Sequence, residues 1–165
     1  ALLEECKEEL RREGAAFDER IAVGVMIETP AAVFMADEMA AEADFFSIGT
    51  NDLTQYVLAV DRGNERIAAM YEPLHPAVVR AIRLTVEAAR RHGCETGICG
   101  EFASEAAHAE LLVGLGLDEL SRNGGGRAAV KERIRTLDMP QAERTAHRAA
   151  EAATTGEMRH AIGCG

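Results

Sequence analysis

The chain has 165 residues, 47% apolar and only 4% aromatic, with no tryptophan. That length and composition exclude a disordered chain and fit one domain, residues 1–165, whose core is built from Ala, Leu, Val and Ile. With 28 acidic against 18 basic residues and a formal charge of −10, neither nucleic acid nor an anionic membrane is expected as the main partner.

Residues 2–14, "LLEECKEELRREG", read as a helix with charged faces that stops at Gly14. Residues 20–30, "RIAVGVMIETP", form a nearly unbroken apolar run, the pattern of a strand covered on both faces. Pro30 suits the first position of a following helix, "PAAVFMADEMAAEA". "DFFSIG" is the next strand, and "NDLTQYVLAV" a short helix with Asn51 as its N-cap. Residues 75–93, "HPAVVRAIRLTVEAARRHG", are a strong amphipathic helix with Pro near its start and Gly at its end. "ETGICG" is a short strand, "ASEAAHAELLVGLG" a helix and "LDELSRN" a last strand. Glycine-rich "GGGR" leads into "AAVKERIRTL", and the Ala-rich tail from Gln141 is helical. No internal repeat or interior linker is visible.

The order is one helix, then strand–helix four times. Such alternation predicts a parallel sheet with helices outside. Two architectures compete: an open doubly wound sheet and a (β/α)8 barrel. In both, chemistry gathers at the carboxyl ends of the strands, where "ETP", "GTND", "CGE" and "SRN" fall. A whole barrel needs roughly 200 residues or more, so this chain supplies about half of one.

Glu28 ends the first strand and Asp52 lies just past the second, so neighbouring parallel strands would set both carboxylates on one rim. Hard oxygen donors of this kind suit Mg2+. The alternatives are a capping role for Asp52 and a surface salt bridge for Glu28. Asn51 and Arg62 could bind an anion, the amide through its N–H and the guanidinium through its planar fork. Alternatively Asn51 only caps and Arg62 pairs with Asp61. Cys99, between Ile98 and Gly100 at a strand's carboxyl end, could transfer a proton, or could be a small buried hydrophobe. Cys6, Cys94 and Cys164 carry no assigned role. The four cysteines make no C-x-x-C pair and no histidines stand at zinc spacing, which argues against a structural metal site. With no visible signal peptide or membrane-spanning run, a reducing cytoplasm fits. His75 reads as a cap, and His92, His108, His147 and His160 as solvent-facing. Gly124–Gly126 lack the following Lys-Ser/Thr of a P-loop.

Taken in order, "GVMIETPAAVFMADEMAAEADFFSIGTNDLTQYVLAVDRGN", "HPAVVRAI" and "TGICGE" closely resemble the phosphoenolpyruvate–protein phosphotransferase family, Enzyme I of the bacterial sugar phosphotransferase system. The likeness runs from about Glu8 to Glu119. It implies that Glu28 and Asp52 are Mg2+ carboxylates and that Asn51 and Arg62 contact substrate phosphate. It implies that Cys99 is the acid/base that protonates the enolate carbon as pyruvate forms. The implied fold is α/β, the C-terminal half of a TIM (β/α)8 barrel with about four parallel βα units and flanking helices. The implied partners are phosphoenolpyruvate and pyruvate, a second copy in a homodimer, and a phosphocarrier protein reached through a separate N-terminal histidine domain. That domain and the early barrel strands are missing from the likeness, the first residue is Ala, and "SRNGGGRAAV" departs from the family wording. The chain is therefore expected to be an incomplete catalytic piece that binds substrate poorly alone. The alternatives are a piece of a pyruvate, phosphate dikinase or phosphoenolpyruvate synthase, or a non-catalytic half-barrel assembly module.

Overall fold

A computed structural model describes residues 2–121 and 127–164. Its centre is a four-stranded parallel sheet of β1 (Gly24–Ile27), β2 (Phe45–Gly49), β3 (Glu95–Cys99) and β4 (Glu119–Leu120), in spatial order β1-β2-β3-β4. Crossovers between parallel strands are right-handed. When spatial order equals chain order, every crossover therefore returns on the same side of the sheet. A doubly wound sheet needs a reversal of order, and the described strands have none. The architecture is a singly wound α/β sheet, consistent with part of a barrel.

Burial along the strands fits this. Ile27, Phe46, Ile48 and Ile98 are all 0% exposed and point into the helical layer, while Met26 and Phe45 on the other face are 49% and 39% exposed. Side chains alternate between faces along a strand, so one face is core and the other is open. The strand expected to be covered on both faces is thus covered on one. It is also shorter than its apolar run, because residues 20–23 precede the ladder. Phe45 lies across the neighbouring Gly24, where a Cβ would collide with its ring.

Two aspartates fix the register at the amino end of the sheet. The Val23 N–H donates to the Asp44 carboxylate (2.7 Å), and the Asp44 N–H returns to the Val23 carbonyl (2.9 Å). The pair is repeated between β3 and β4, where the Thr96 N–H donates to Asp118 (2.8 Å) and the Asp118 N–H to the Thr96 carbonyl (2.9 Å).

The helices are α1 (Leu2–Glu13), α2 (Pro30–Phe34), α3 (Ala36–Ala40), α4 (Thr50–Leu58), α5 (Pro76–His92), α6 (Ala109–Leu115), α7 (Arg127–Arg135), α8 (Met139–Glu151) and α9 (Thr155–Ala161). Helix α5 is the spine of the layer. It buries Val78, Val79, Ile82, Val86 and Ala89 along one stripe and ends at Gly93, whose φ of 69° closes the helix in the left-handed region. His75 caps its start, with Nδ1 accepting from the Ala77 N–H at 3.2 Å, as expected. The helix expected from Pro30 is divided at Met35 into α2 and α3.

The helix expected over 103–116 is confined to α6, and two 3-10 turns, Phe102–Ser104 and Ala106–His108, precede it. Here His108 differs from the solvent-facing expectation. It is buried, its Nδ1 sits 3.0 Å from the Phe102 carbonyl, and its ring stacks on Phe102 at 4.4 Å. The carbonyl can only accept, so Nδ1 carries the proton. In the tail, Ala142, Ala146 and Ala149 of α8 are buried and pack on α6. At Gly114 the two backbones come so close that a Cβ would strike the Ala142 carbonyl. Arg80 of α5 donates to the carbonyls of Ala150 (3.2 Å) and Ala152 (2.8 Å), capping the end of α8. Among the described residues no helix is long and apolar enough to cross a membrane. Gly124–Gly126, with Arg122 and Asn123 of the "SRN" rim, lie outside the described residues.

Candidate active site at the carboxyl edge of the sheet

The carboxyl ends of β1, β2 and β3 carry Glu28, then Thr50, Asn51 and Asp52, then Cys99, Gly100 and Glu101. Parallel pairing in register, with Ile27 beside Ile48 and Gly49 beside Cys99, sets these three ends along one edge.

Glycine permits the close approach. A Cβ on Gly49 would lie 2.9 Å from Glu28 Oε2, so the bare Gly49 leaves room for the Glu28 carboxylate. Glu28 is half-buried, and among the described residues it makes no ion pair. Among the described residues, the salt-bridge alternative for Glu28 finds no partner.

The capping alternatives for Asn51 and Asp52 also fail. Helix α4 begins at Thr50, its N-cap is Gly49, and no side chain caps it. Asn51 and Asp52 stand inside the first turn. The free N–H groups of that turn and the positive end of the helix dipole are left facing the rim. Asp52, like Glu28, has no ion-pair partner among the described residues.

Arg62 lies in the exposed loop beyond α4, and its backbone N–H donates to Gln55 Oε1 at 3.4 Å. Asp61 turns away from it to accept from the Gly63 N–H at 2.8 Å. Among the described residues the Arg62 guanidinium makes no ion pair. Tyr71 lies near these groups. Burial pushes its hydroxyl's pKa up, against the opposing influence first of the Thr54 hydroxyl and then of the positive Arg62, with Glu101 and Asp52 adding to the rise. Its hydroxyl donates to the Asn51 carbonyl at 3.3 Å, which ties the loop to the first turn of α4.

At the third strand end, Cys99 is half-buried with Sγ 3.5 Å from the Ile48 carbonyl and 3.8 Å from Ser47 Oγ. Its own carbonyl accepts from Thr50 Oγ1 at 2.8 Å, and Thr50 is buried. Gly100 has a φ of 110°, and Ser104 Oγ donates to its carbonyl at 3.2 Å. A Cβ on Gly100 would collide with Thr50 Oγ1 and lie 3.2 Å from Asn51 Oδ1. Cys99 and Asn51 thus share one corner of the edge. Cys94 is the cysteine that matches the bland description: it is buried, and burial pushes its thiol up, with Asp44, Asp118 and Glu95 adding to the rise.

The donor set can be compared with what Mg2+ requires. Among the described residues no three His, Cys, Asp or Glu side chains gather into a cage. Glu28 and Asp52, at adjacent strand ends, have no ion-pair partner among the described residues. That pair fits a cation held by one or two carboxylates with substrate oxygens and waters completing the shell.

Sequence reasoning did not single out Ser47, Thr50, Tyr71 or the shape of Gly100. Thr50 and Ser47 sit in the same "SIGTND" stretch, but their partners are about fifty residues away in the chain, at the end of β3. Only the strand pairing reveals them. For Tyr71 no local pattern gives a signal.

Over residues 1–139 the chain matches the family described as PEP-utilising enzyme, PEP-binding domain. It is 46% identical over 162 residues, 98% of its length, to the phosphoenolpyruvate-protein phosphotransferase of Haemophilus influenzae, covering 28% of that protein. It is 49% identical over 150 residues, 91% of its length, to the protein of the same name from Haloferax volcanii, covering 26% of it. With multiphosphoryl transfer protein 2 of Escherichia coli it shares 43% identity over 97% of its length and 19% of that protein. The chain spans about a quarter of the length of the curated relatives it matches.

Proposed function

Because the chain belongs to the PEP-utilising enzyme, PEP-binding domain family, we propose that it is the phosphoenolpyruvate-binding catalytic part of a phosphoenolpyruvate–protein phosphotransferase. The observation that carries this reading is one edge of the sheet. It joins two carboxylates with no ion-pair partner among the described residues, an uncapped helix start and a half-buried thiol within three adjacent strand ends.

Phosphoryl transfer relies on charge neutralisation and in-line positioning more than on covalent chemistry by the protein. In this reading Asn51, the N–H groups of the first turn of α4 and Arg62 bind and orient the phosphoryl oxygens. Glu28 and Asp52 would hold Mg2+, which when bound neutralises phosphate and carboxylate charge. Transfer leaves pyruvate enolate, a carbon base. Cys99 gives it a proton: the S–H bond breaks, its electron pair stays on sulfur, and a C–H bond forms. The thiolate then regains a proton from water. Gly100 keeps the space before the thiol clear, and Thr50 fixes the strand end that carries it.

The acceptor in this reading is a histidine of another part of the enzyme, from which a phosphocarrier protein takes the phosphoryl group for sugar uptake. The sheet with its one open face is read as part of a (β/α)8 barrel, within a cytoplasmic homodimer. The names of the relatives support the pathway, and the singly wound sheet supports the barrel.

The test is a titration of phosphoenolpyruvate with and without Mg2+ on this chain and on Asp52→Ala. The expected result is weak, Mg2+-dependent binding that the substitution lowers at least tenfold. Equal binding by both proteins would remove the metal assignment.

A further inference from the structure

We infer that Ser47 is a positioning residue for the Cys99 thiol, its hydroxyl donating to Sγ so as to hold the sulfur in place and stabilise it once its proton has left. The inference rests on the reading of Cys99 as proton donor.

The sheet register creates the contact. Ser47 pairs with Gly97 and Gly49 with Cys99, so Ser47 and Cys99 are diagonal neighbours on the same face of adjacent strands. Diagonal pairs lie within reach of each other across a sheet. Gly97 opposite Ser47 has no side chain to block it, and the hydroxyl leans toward the strand's carboxyl end. It opens onto a cavity of about 570 Å3 on the open face of the sheet, lined also by Phe45, Glu95, Gly97 and Glu119. Phe46 and Ile48, its neighbours in sequence, point the opposite way into the core at 0% exposure. Ser47 is thus the polar residue of β2 directed at the sulfur.

The direction of the hydrogen bonds follows from the partners. The Ile48 carbonyl, 3.5 Å from Sγ, can only accept, so the thiol proton points at it. Sγ is then the acceptor for the Ser47 hydroxyl at 3.8 Å. When Cys99 gives up its proton, the bond to Ile48 is lost and the carbonyl dipole faces a negative sulfur. The bond from Ser47 instead becomes charge-assisted and stronger. Its contribution therefore grows as the proton moves, which is the condition for an interaction to accelerate a step. Ser47 keeps its own proton throughout.

The test is the rate at which iodoacetamide alkylates Cys99 at one fixed pH near neutrality, read by mass spectrometry of the Cys99 peptide. It uses this full chain and the variants Ser47→Ala, Ser47→Val and Ser47→Thr. Val and Thr have the same shape, so the pair separates the hydroxyl from packing. We expect alkylation about tenfold slower in the Ala and Val variants, near the unsubstituted rate in Thr, and unchanged thermal midpoints in Val and Thr. Equal rates for Val and Thr overturn the inference, whether or not Ala folds. Failure of the underlying reading shows elsewhere: Cys99→Ser in the longer enzyme would then leave pyruvate release unchanged, whatever the alkylation rates.

Discussion

Gly100 has a φ of 110° with Thr50 Oγ1 directly where a Cβ would stand. Gly100→Ala must strain the backbone and push Thr50 off the Cys99 carbonyl. We expect a loss of about 1–3 kcal/mol in stability together with weakened phosphoenolpyruvate binding; denaturant unfolding and the same ligand titration measure both. At the opposite end of the strands, Asp118 and Asp44 make the same contact in different surroundings. Thr96 is 1% exposed and Val23 46%, so water reaches the Val23 N–H more readily than the Thr96 N–H once the carboxylate is removed. Asp118→Ala is expected to cost about 1–3 kcal/mol and Asp44→Ala under about 1 kcal/mol; equal losses in urea unfolding would contradict that account. At this scale, the residue types of Glu28, Asn51, Asp52, Arg62 and Cys99 were legible in the sequence. Their states were not. Whether Asn51 caps α4 depends on where the helix begins, and one residue decides it: the helix starts at Thr50. Whether Arg62 pairs with Asp61 depends on a turn that sends Asp61 to the Gly63 N–H.

Gly114 and Ala142 show how α6 and α8 bind each other. Their backbones touch because a glycine faces the alanine stripe Ala142, Ala146 and Ala149. Gly114→Ala would gain helix propensity by about 1 kcal/mol, yet its Cβ would strike the Ala142 carbonyl. We expect the clash to win, with a net loss of about 1–3 kcal/mol in chemical denaturation, and a gain in stability would disprove the contact. The elements were legible unevenly, for physical reasons. Helix α5 has a cap, a stripe and a left-handed glycine, three local signals that agree. The break between α2 and α3 has no proline or glycine to announce it. The residues before α6 have helical composition, but the buried His108 is held by the Phe102 carbonyl, a bond that fixes 3-10 turns in place of a regular helix. The apolar run of residues 20–27 overstated β1, because apolar content does not reveal where a partner strand begins.

At the scale of the whole molecule, the described strands run in sequential order, which shows no doubly wound reversal and is consistent with part of a barrel. Sequential order puts the crossover helices α2–α6 on one side, and Met26 and Phe45 on the other face are exposed. The chain alone is expected to bind a hydrophobic dye such as ANS while fully folded. The double substitution Met26→Ser, Phe45→Ser should reduce that signal severalfold, since these side chains carry the open face's largest apolar surface. An unchanged signal in a still-folded variant would mean that the dye binds elsewhere. The parallel sheet was legible because strand and helix patterns alternate; the open face was not, because an unbroken apolar run looks the same whether one side is covered or two.

The aspartate clamps at Val23 and Thr96 have a consequence for how such a chain can change over time. They hold the strands together at the end remote from Glu28, Asn51, Asp52 and Cys99. Errors at the clamps should be selected against as loss of folded protein, and errors at the other edge, in the proposed reading, as loss of reaction. The rim is thereby free to vary, acquiring new ligands or losing old ones, while the sheet beneath it inherits its alignment unchanged.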